Sequence, residues 1–207
     1  MSCYPVNLDL KSRRCVVVGG GAVAERKAET LLDFGAAVVV IAPELTPRLH
    51  DLAAERLVEH VAGKYTSGML EGAFLVIAAT DDGEINKAVS SEAQQLGILV
   101  NVVDEPELCT FFVPAIARRG DFIISVSTSG KSPALARRVR EELEARFGPE
   151  YGEFADLLGE LREELKARHP NPADRYRVFL RILDSGVLNL LAQGRRDEAT
   201  ERARKCI

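Results

Sequence analysis

The sequence has no C-x-x-C pair, no clustered histidines, no apolar run near the ~20 residues of a membrane helix and no excess of positive charge. Each absence removes a class of function. Cys3, Cys15, Cys109 and Cys206 lie far apart, the pattern of free thiols in a reducing compartment and not of a disulfide framework or structural zinc site. His50, His60 and His169 are equally scattered and lack metal-ligand spacing, so surface or cap histidines are expected and no metal site. A formal net charge of −4 argues against nucleic acid as the main partner, and no membrane association is expected. The opening Met1-Ser2-Cys3-Tyr4-Pro5 lacks a basic start followed by an apolar stretch, which predicts no secretory leader and a cytoplasmic location. No repeat or low-complexity segment stands out.

What is present is a rhythm. Hydrophobic residues make up 46% and charged residues 28%, so a packed globular core is expected. Short apolar runs at 15–18, 38–41, 57–61, 74–79 and 98–103 predict strands. The stretches 23–34, 47–55 and 82–96 between them predict helices. That alternation is the signature of βαβ units, and it predicts an α/β fold with a Rossmann-type parallel sheet. Thr46-Pro47 is expected to cap the second helix. After Pro106 the rhythm changes. Runs at 111–116 and 122–126 predict an antiparallel hairpin joined across Arg118-Arg119-Gly120-Asp121, and a long helix follows to Phe147, broken by Gly148-Pro149. From Tyr151 only helical periodicity remains, interrupted at His169-Pro170-Asn171-Pro172, Asp184-Ser185-Gly186 and Gly194. The expected division is a Rossmann domain at 1–113, a small α+β segment at 114–148 and a helical domain at 149–207.

Gly19-Gly20-Gly21-Ala22-Val23-Ala24 fits G-x-G-x-x-A at the place where a strand meets a helix. The first glycine permits the tight turn, the second admits a pyrophosphate close to the backbone, and Ala24 allows close helix–strand packing. Free N–H groups of Ala22 and Val23 at the helix start suit the phosphate charge. The ribose-binding acid is displaced: the second strand ends at Ala42-Pro43, and the nearest acid is Glu44. Either Glu44 reaches a ribose hydroxyl or backbone around Ala42 and Pro43 holds the adenosine. No arginine or lysine follows immediately, which predicts NAD over NADP.

Five segments together resemble the precorrin-2 dehydrogenase family, the siroheme synthase dehydrogenase/ferrochelatase region. They are Gly19 to Lys27, Ala42-Pro43, Ala78-Ala79-Thr80-Asp81-Asp82 with Asn86, Asn101-Val102-Val103-Asp104, and Ser127-Thr128-Ser129-Gly130-Lys131-Ser132-Pro133. The resemblance implies NAD-dependent oxidation of precorrin-2 to sirohydrochlorin, and in some members insertion of Fe2+ into that product. Whether this chain takes Fe2+ or Co2+ as a further substrate stays open, as does a siroheme or cobalamin destination. It implies a homodimer, with the segment after about residue 113 as the dimerisation region. It places Thr80, Asn101 and Val103 beside the cofactor and makes Asp104 the acid/base. Tandem members carry an added methyltransferase domain, which is not expected within these 207 residues.

The residues support parts of this independently. Asp104 follows the fifth predicted strand, and ligands of open α/β sheets bind outside the carboxyl ends of their strands. A capping or turn role before Pro106 is the alternative. One of Asp81 and Asp82 is expected to cap the following helix. Ser127, Thr128, Ser129, Gly130 and Lys131 form a hydroxyl-rich helix start, with Arg118, Arg119, Arg137, Arg138 and Arg140 nearby in sequence. Such a wall suits a polycarboxylate such as precorrin-2; a capped helix with a solvated basic face is the competing account. A non-catalytic NAD-sensing regulatory module is the alternative function.

Overall fold

The computed structural model describes residues 3–207. Met1 and Ser2, part of the stretch expected to lack a leader pattern, lie outside the described residues. The chain divides into two compact units, Met1–Val113 and Pro114–Ile207.

The first unit carries the parallel sheet. Its strands are β1 (Arg14–Val18), β2 (Ala37–Ala42), β3 (Val58–Ala62), β4 (Leu75–Ala78) and β5 (Leu99–Val102), in the order β3-β2-β1-β4-β5. Every neighbouring pair is parallel. Strands covered on both faces must be apolar throughout, which is why β1, β2 and β4 appear as unbroken runs of Val, Ile and Ala instead of alternating. Cys15, Val17, Val38, Val40 and Ile77 face one core layer with Ala24, Ala28 and Leu31 of α1 (Ala22–Asp33) and Leu49 and Leu52 of α2 (Pro47–Ala54). Val16, Val18, Val39, Ile41 and Val76 face the other layer, with Val89 and Ala93 of α3 (Gly83–Gln95). The caps expected from sequence are present. Thr46 Oγ1 accepts from Leu49 N–H, and Asp82 Oδ1 accepts from Glu84 and Ile85 N–H.

One buried charge holds the long β3–β4 connection. Glu92 on α3 is 9% exposed and accepts from Tyr65 Oη at 2.5 Å, from Gly68 N–H at 3.0 Å and from Leu70 N–H at 3.2 Å. Burial alone raises a carboxyl's pKa, but bonds from Tyr65, Gly68, Leu70 and Ser67 outweigh it and hold Glu92 below its ordinary 4.5. Burial, and then the bonded Glu92 charge, push the Tyr65 hydroxyl far up. Removing the acceptor strands the four donors Tyr65, Ser67, Gly68 and Leu70, so Glu92→Ala should cost ~2–4 kcal/mol. A depressed carboxyl stabilises fully above its unfolded pKa, and that contribution is lost as pH falls through the folded value. Urea unfolding of wild type and Glu92→Gln should therefore differ by a constant amount above about pH 5, with the gap closing under acid. A gap that widens under acid would contradict this.

The second unit begins with a hairpin of β6 (Ala115–Arg119) and β7 (Phe122–Val126), antiparallel from Ala115↔Val126 to Arg119↔Phe122. This corrects the expected strand at 111–116. Thr110 and Phe111 N–H both donate to Val100 O of β5, and Pro114 has no N–H to give a ladder, so the strand starts at Ala115. The turn is correspondingly tighter: Arg118 and Arg119 lie in β6, and Gly120, at φ +59°, takes the corner with Asp121. Next come α4 (Pro133–Arg146), α5 (Glu150–Glu160), α6 (Arg162–Arg168), α7 (Pro172–Asp184), α8 (Val187–Ala192) and α9 (Arg196–Arg204). Phe154, Leu157, Leu165, Ile182, Val187, Leu191 and Ala203 form a core shared by α5 to α9. Phe122, Phe147 and Tyr151 pack ring to ring, with centroids 4.9–5.8 Å apart. The break between α5 and α6 at Leu161 carries no proline or glycine and was not expected. The breaks at 169–172, 184–186 and 194 fall where proline and glycine put them.

Candidate functional site

The sheet order reverses between β1 and β4, so the loops leaving these two strands diverge and open a crevice at the carboxyl edge of the sheet. The glycine turn forms one lip. Gly19 has φ +124°, and a Cβ there would lie 2.3 Å from Ala79 O. Gly20, the variable position of the motif, is as constrained: a Cβ would meet Glu44 O at 1.9 Å and Ala42 Cβ at 2.8 Å. Thr46 N–H donates to Gly20 O at 3.0 Å, so the β2–α2 loop rests directly on the turn. Gly21 differs, since a side chain there meets nothing within 4 Å.

Gly21 is the N-cap of α1, and no side chain among the described residues caps that helix. Its first N–H groups are therefore left to an external acceptor, with open space above them. The free N–H groups of a helix start suit the negative charge of a dinucleotide's pyrophosphate. Ala24 is fully buried. Thr46 Oγ1 also donates to Glu25 Oε2 at 2.5 Å, tying the starts of α1 and α2 together.

The other candidate cofactor residues line the same edge. Ala42 is buried, while Pro43 and Glu44 are exposed, and His60 Nε2 lies 2.9 Å from Ala42 O. Thr80 is fixed by the buried Asn86: Thr80 Oγ1 donates to Asn86 Oδ1 at 2.8 Å, and Asn86 Nδ2 donates to Thr80 O at 3.0 Å. Asn101 Nδ2 donates to Phe111 O at 3.1 Å. That leaves its donor directed at its own chain. Val103 packs against the α1-side core, and its N–H donates to Ala78 O.

Asp104 is exposed in the turn after β5, at φ +61°. This left-handed conformation is uncommon outside glycine, asparagine and aspartate. The half-buried Lys27 of α1 senses its charge. Burial and then the Arg26 guanidinium push the Lys27 ammonium below its ordinary value, and the Asp104 carboxylate acts in the opposite direction. Lys27 and Asn86 lay within the segments that carried the resemblance but were not singled out as site residues. Among the described residues no group of three or more His, Cys, Asp or Glu side chains forms a metal site, and no helix is long and apolar enough to cross a membrane.

The hydroxyl-rich turn belongs to the second unit. Ser132 Oγ caps α4 by accepting from Leu135 N–H, and Thr128 Oγ1 accepts from Ser132 N–H. Ser127 Oγ accepts from Ser129 N–H, and Ser129 and Gly130 both have positive φ. Lys131 is exposed. The arginines of α4 expected to form a basic wall around this turn are paired within their own helix. Arg137 pairs with Glu141 at 3.0 Å, Arg138 with Glu142 at 3.3 Å and Arg140 with Glu144 at 2.6 Å. Glutamates one helical turn on thus offset much of that charge. Arg118 Nε donates to Gly120 O.

Comparison with known proteins follows the same division. Residues 6–115 match the family described as "Putative NAD(P)-binding". Residues 119–146 match the sirohaem biosynthesis protein central region, and 150–206 the sirohaem synthase dimerisation region. The chain belongs to the family described as putative NAD(P)-binding. It is 42% identical over 203 residues to the siroheme synthase of Chromobacterium violaceum and 43% identical over 203 residues to that of Methylobacillus flagellatus. Each alignment covers 98% of this chain and 43% of the relative, so the chain spans less than half the length of these curated relatives. A solved structure, "SirC, precorrin-2 dehydrogenase", superposes with a TM-score of 0.80 at 28% identity, over 98% of this chain and all of that one. The Rossmann-type sheet followed by a helical region is therefore shared with that protein along its whole length.

Proposed function

We propose that this chain oxidises precorrin-2 to sirohydrochlorin with NAD. The observation that carries the reading is the joint presence at one sheet edge of an uncapped, unobstructed α1 start and an exposed carboxylate on a fixed turn. The likeness to a precorrin-2 dehydrogenase over that protein's whole length supports it.

The reaction removes two hydrogens from the macrocycle, one as hydride and one as a proton. Bound NAD supplies the hydride acceptor. The chain supplies the rest. Gly21 and the first turn of α1 receive the pyrophosphate, Thr80 and the backbone at Ala42, Pro43, Asn101 and Val103 line the cofactor, and Asp104 takes the proton. The Ser127–Gly130 hydroxyls and backbone, with Lys131, Arg118 and Arg137, receive substrate carboxylates. Arg137 can exchange its exposed pairing with Glu141 for such a carboxylate at little cost, since surface pairs are worth ~0–1 kcal/mol. A homodimer through the second unit, as the matched dimerisation region suggests, and a cytoplasmic setting suited to free thiols complete the proposal.

NAD is preferred to NADP because the exposed Glu44 follows β2, and Arg48 on the adjacent α2 is engaged with Glu29 at 2.9 Å. A 2′-phosphate would meet carboxylate first. Anaerobic mixing with precorrin-2 should yield NADH and sirohydrochlorin in equal amounts, with kcat/KM at least ~10-fold higher for NAD than for NADP, the effect of about one unfavourable charge contact. Folded, NAD-binding protein that forms neither product would sink the proposal in favour of a sensing module. Equal use of NADP would overturn the preference for NAD.

A further inference from the structure

β5 lies at the edge of the sheet, and an edge strand presents a row of unpaired N–H and C=O groups. Among the described residues no sixth strand covers it. Two side chains from the segment beyond Asp104 do so instead. Thr110 Oγ1 accepts from Val100 N–H at 2.9 Å, and Thr110 N–H donates to Val100 O at 2.8 Å. Two residues along, Cys109 Sγ accepts from Val102 N–H at 3.2 Å and lies 3.3 Å from Val102 O and 3.4 Å from Glu105 O, the two acceptors for its S–H. Asn101 Nδ2 reaches the same sulfur at 3.6 Å and Phe111 O at 3.1 Å. From the other side, Ser90 Oγ of α3 donates to Leu108 O at 2.8 Å.

These bonds bracket Asp104. Val103 N–H is held by Ala78 O, Glu105 N–H donates to Val102 O, and Glu105 O receives Leu108 N–H together with the thiol. The residue between them stands at φ +61°, a conformation that persists only where its surroundings over-determine it. The sulfur touches the turn on both sides of Asp104, at Val102 and at Glu105. Resting on the role of Asp104 given above, we propose that Cys109 is a positioning residue, whose thiol clamps the 102–105 turn and fixes the direction of the Asp104 carboxylate. Cys109 is 9% exposed, and burial raises its pKa, so the thiol keeps the proton it donates.

The test is a double-mutant cycle with Asp104→Asn. Cys109→Ala should lower kcat about 10-fold with the KM for NAD unchanged, the scale expected when a catalytic group is misplaced. It should raise amide hydrogen exchange at Val102 and Glu105 by about the same factor, since the clamp bonds hold those groups closed. Cys109→Ser, which keeps a donor and an acceptor, should recover part of both effects. In the Asp104→Asn background Cys109→Ala should cost nothing more, because the group it positions is gone. Multiplying losses, or an unchanged kcat in Cys109→Ala, would overturn the positioning role. Wild-type turnover by Asp104→Asn alone would overturn the parent assignment of Asp104, and that single variant tells the two failures apart. If Cys109→Ala does not fold, the exchange and turnover of Cys109→Ser against wild type decide the matter.

Discussion

Asp104→Asn should lower the rate of precorrin-2 oxidation by at least ~100-fold while leaving NAD affinity unchanged, the loss typical when a general base is removed. Asparagine is the informative replacement. Asp104 stands at φ +61°, a region that asparagine also tolerates, so the turn is retained and only the proton acceptor is lost. Alanine would add backbone strain of order 1 kcal/mol and mix two effects. Single-turnover measurements under anaerobic conditions, with NAD binding followed separately by titration, distinguish a chemical defect from a binding defect. If Asp104→Asn keeps its rate, the carboxylate is a turn residue and the base lies elsewhere. If NAD affinity falls instead, the residue serves the cofactor.

The second large effect separates two neighbouring glycines. Gly20→Ala forces a Cβ to within 1.9 Å of Glu44 O and 2.8 Å of Ala42 Cβ, both fixed by the β2–α2 connection. Overpacking of this kind costs ~1–3 kcal/mol or more, roughly 2–12 °C in Tm for a chain of this size, and it moves the turn that the cofactor needs. Gly21→Val meets nothing within 4 Å and has an extended backbone, φ −83° and ψ −176°, that valine adopts readily. It should lower Tm by no more than ~3 °C yet raise the Kd for NAD at least ~10-fold, because the added methyls fill the space left for a pyrophosphate. Thermal denaturation and NAD titration of both variants decide this. Equal losses of stability would show that the open space over Gly21 is not a binding volume.

Much of the sheet was legible because its causes are local. Val16-Val17-Val18 and Val38 to Ile41 are apolar on both faces, Thr46-Pro47 and Asp82 announce helix starts, and Gly19 can occupy a φ that other residues avoid. The rest depended on contacts distant in sequence. Glu92 looks like one more charge on an amphipathic helix, and only the fold brings Tyr65, Gly68 and Leu70 to it across more than twenty residues. Phe111 has the composition of a strand, yet its N–H and that of Thr110 are taken by Val100 O. Cys109 was legible only as a free thiol, since its role lies in bonds to Val102 and Glu105. The arginines of α4 suggest a basic wall in the sequence, where their pairing with glutamates one helical turn on is not visible until the helix forms.

The strand order also has a consequence for how the protein comes into being. β1 is the first of these five strands to be synthesised and lies in the middle of the sheet, between β2 and β4. β2 and β3 can join it on one side at once. Its other edge waits until Leu75–Ala78 has been made, a delay on the order of several seconds at ordinary translation speed. During that interval a half-sheet of bare valines stands open on the flank where the cofactor crevice will later form, so the same reversal that creates the crevice marks the stage at which the nascent chain is most exposed to mispairing.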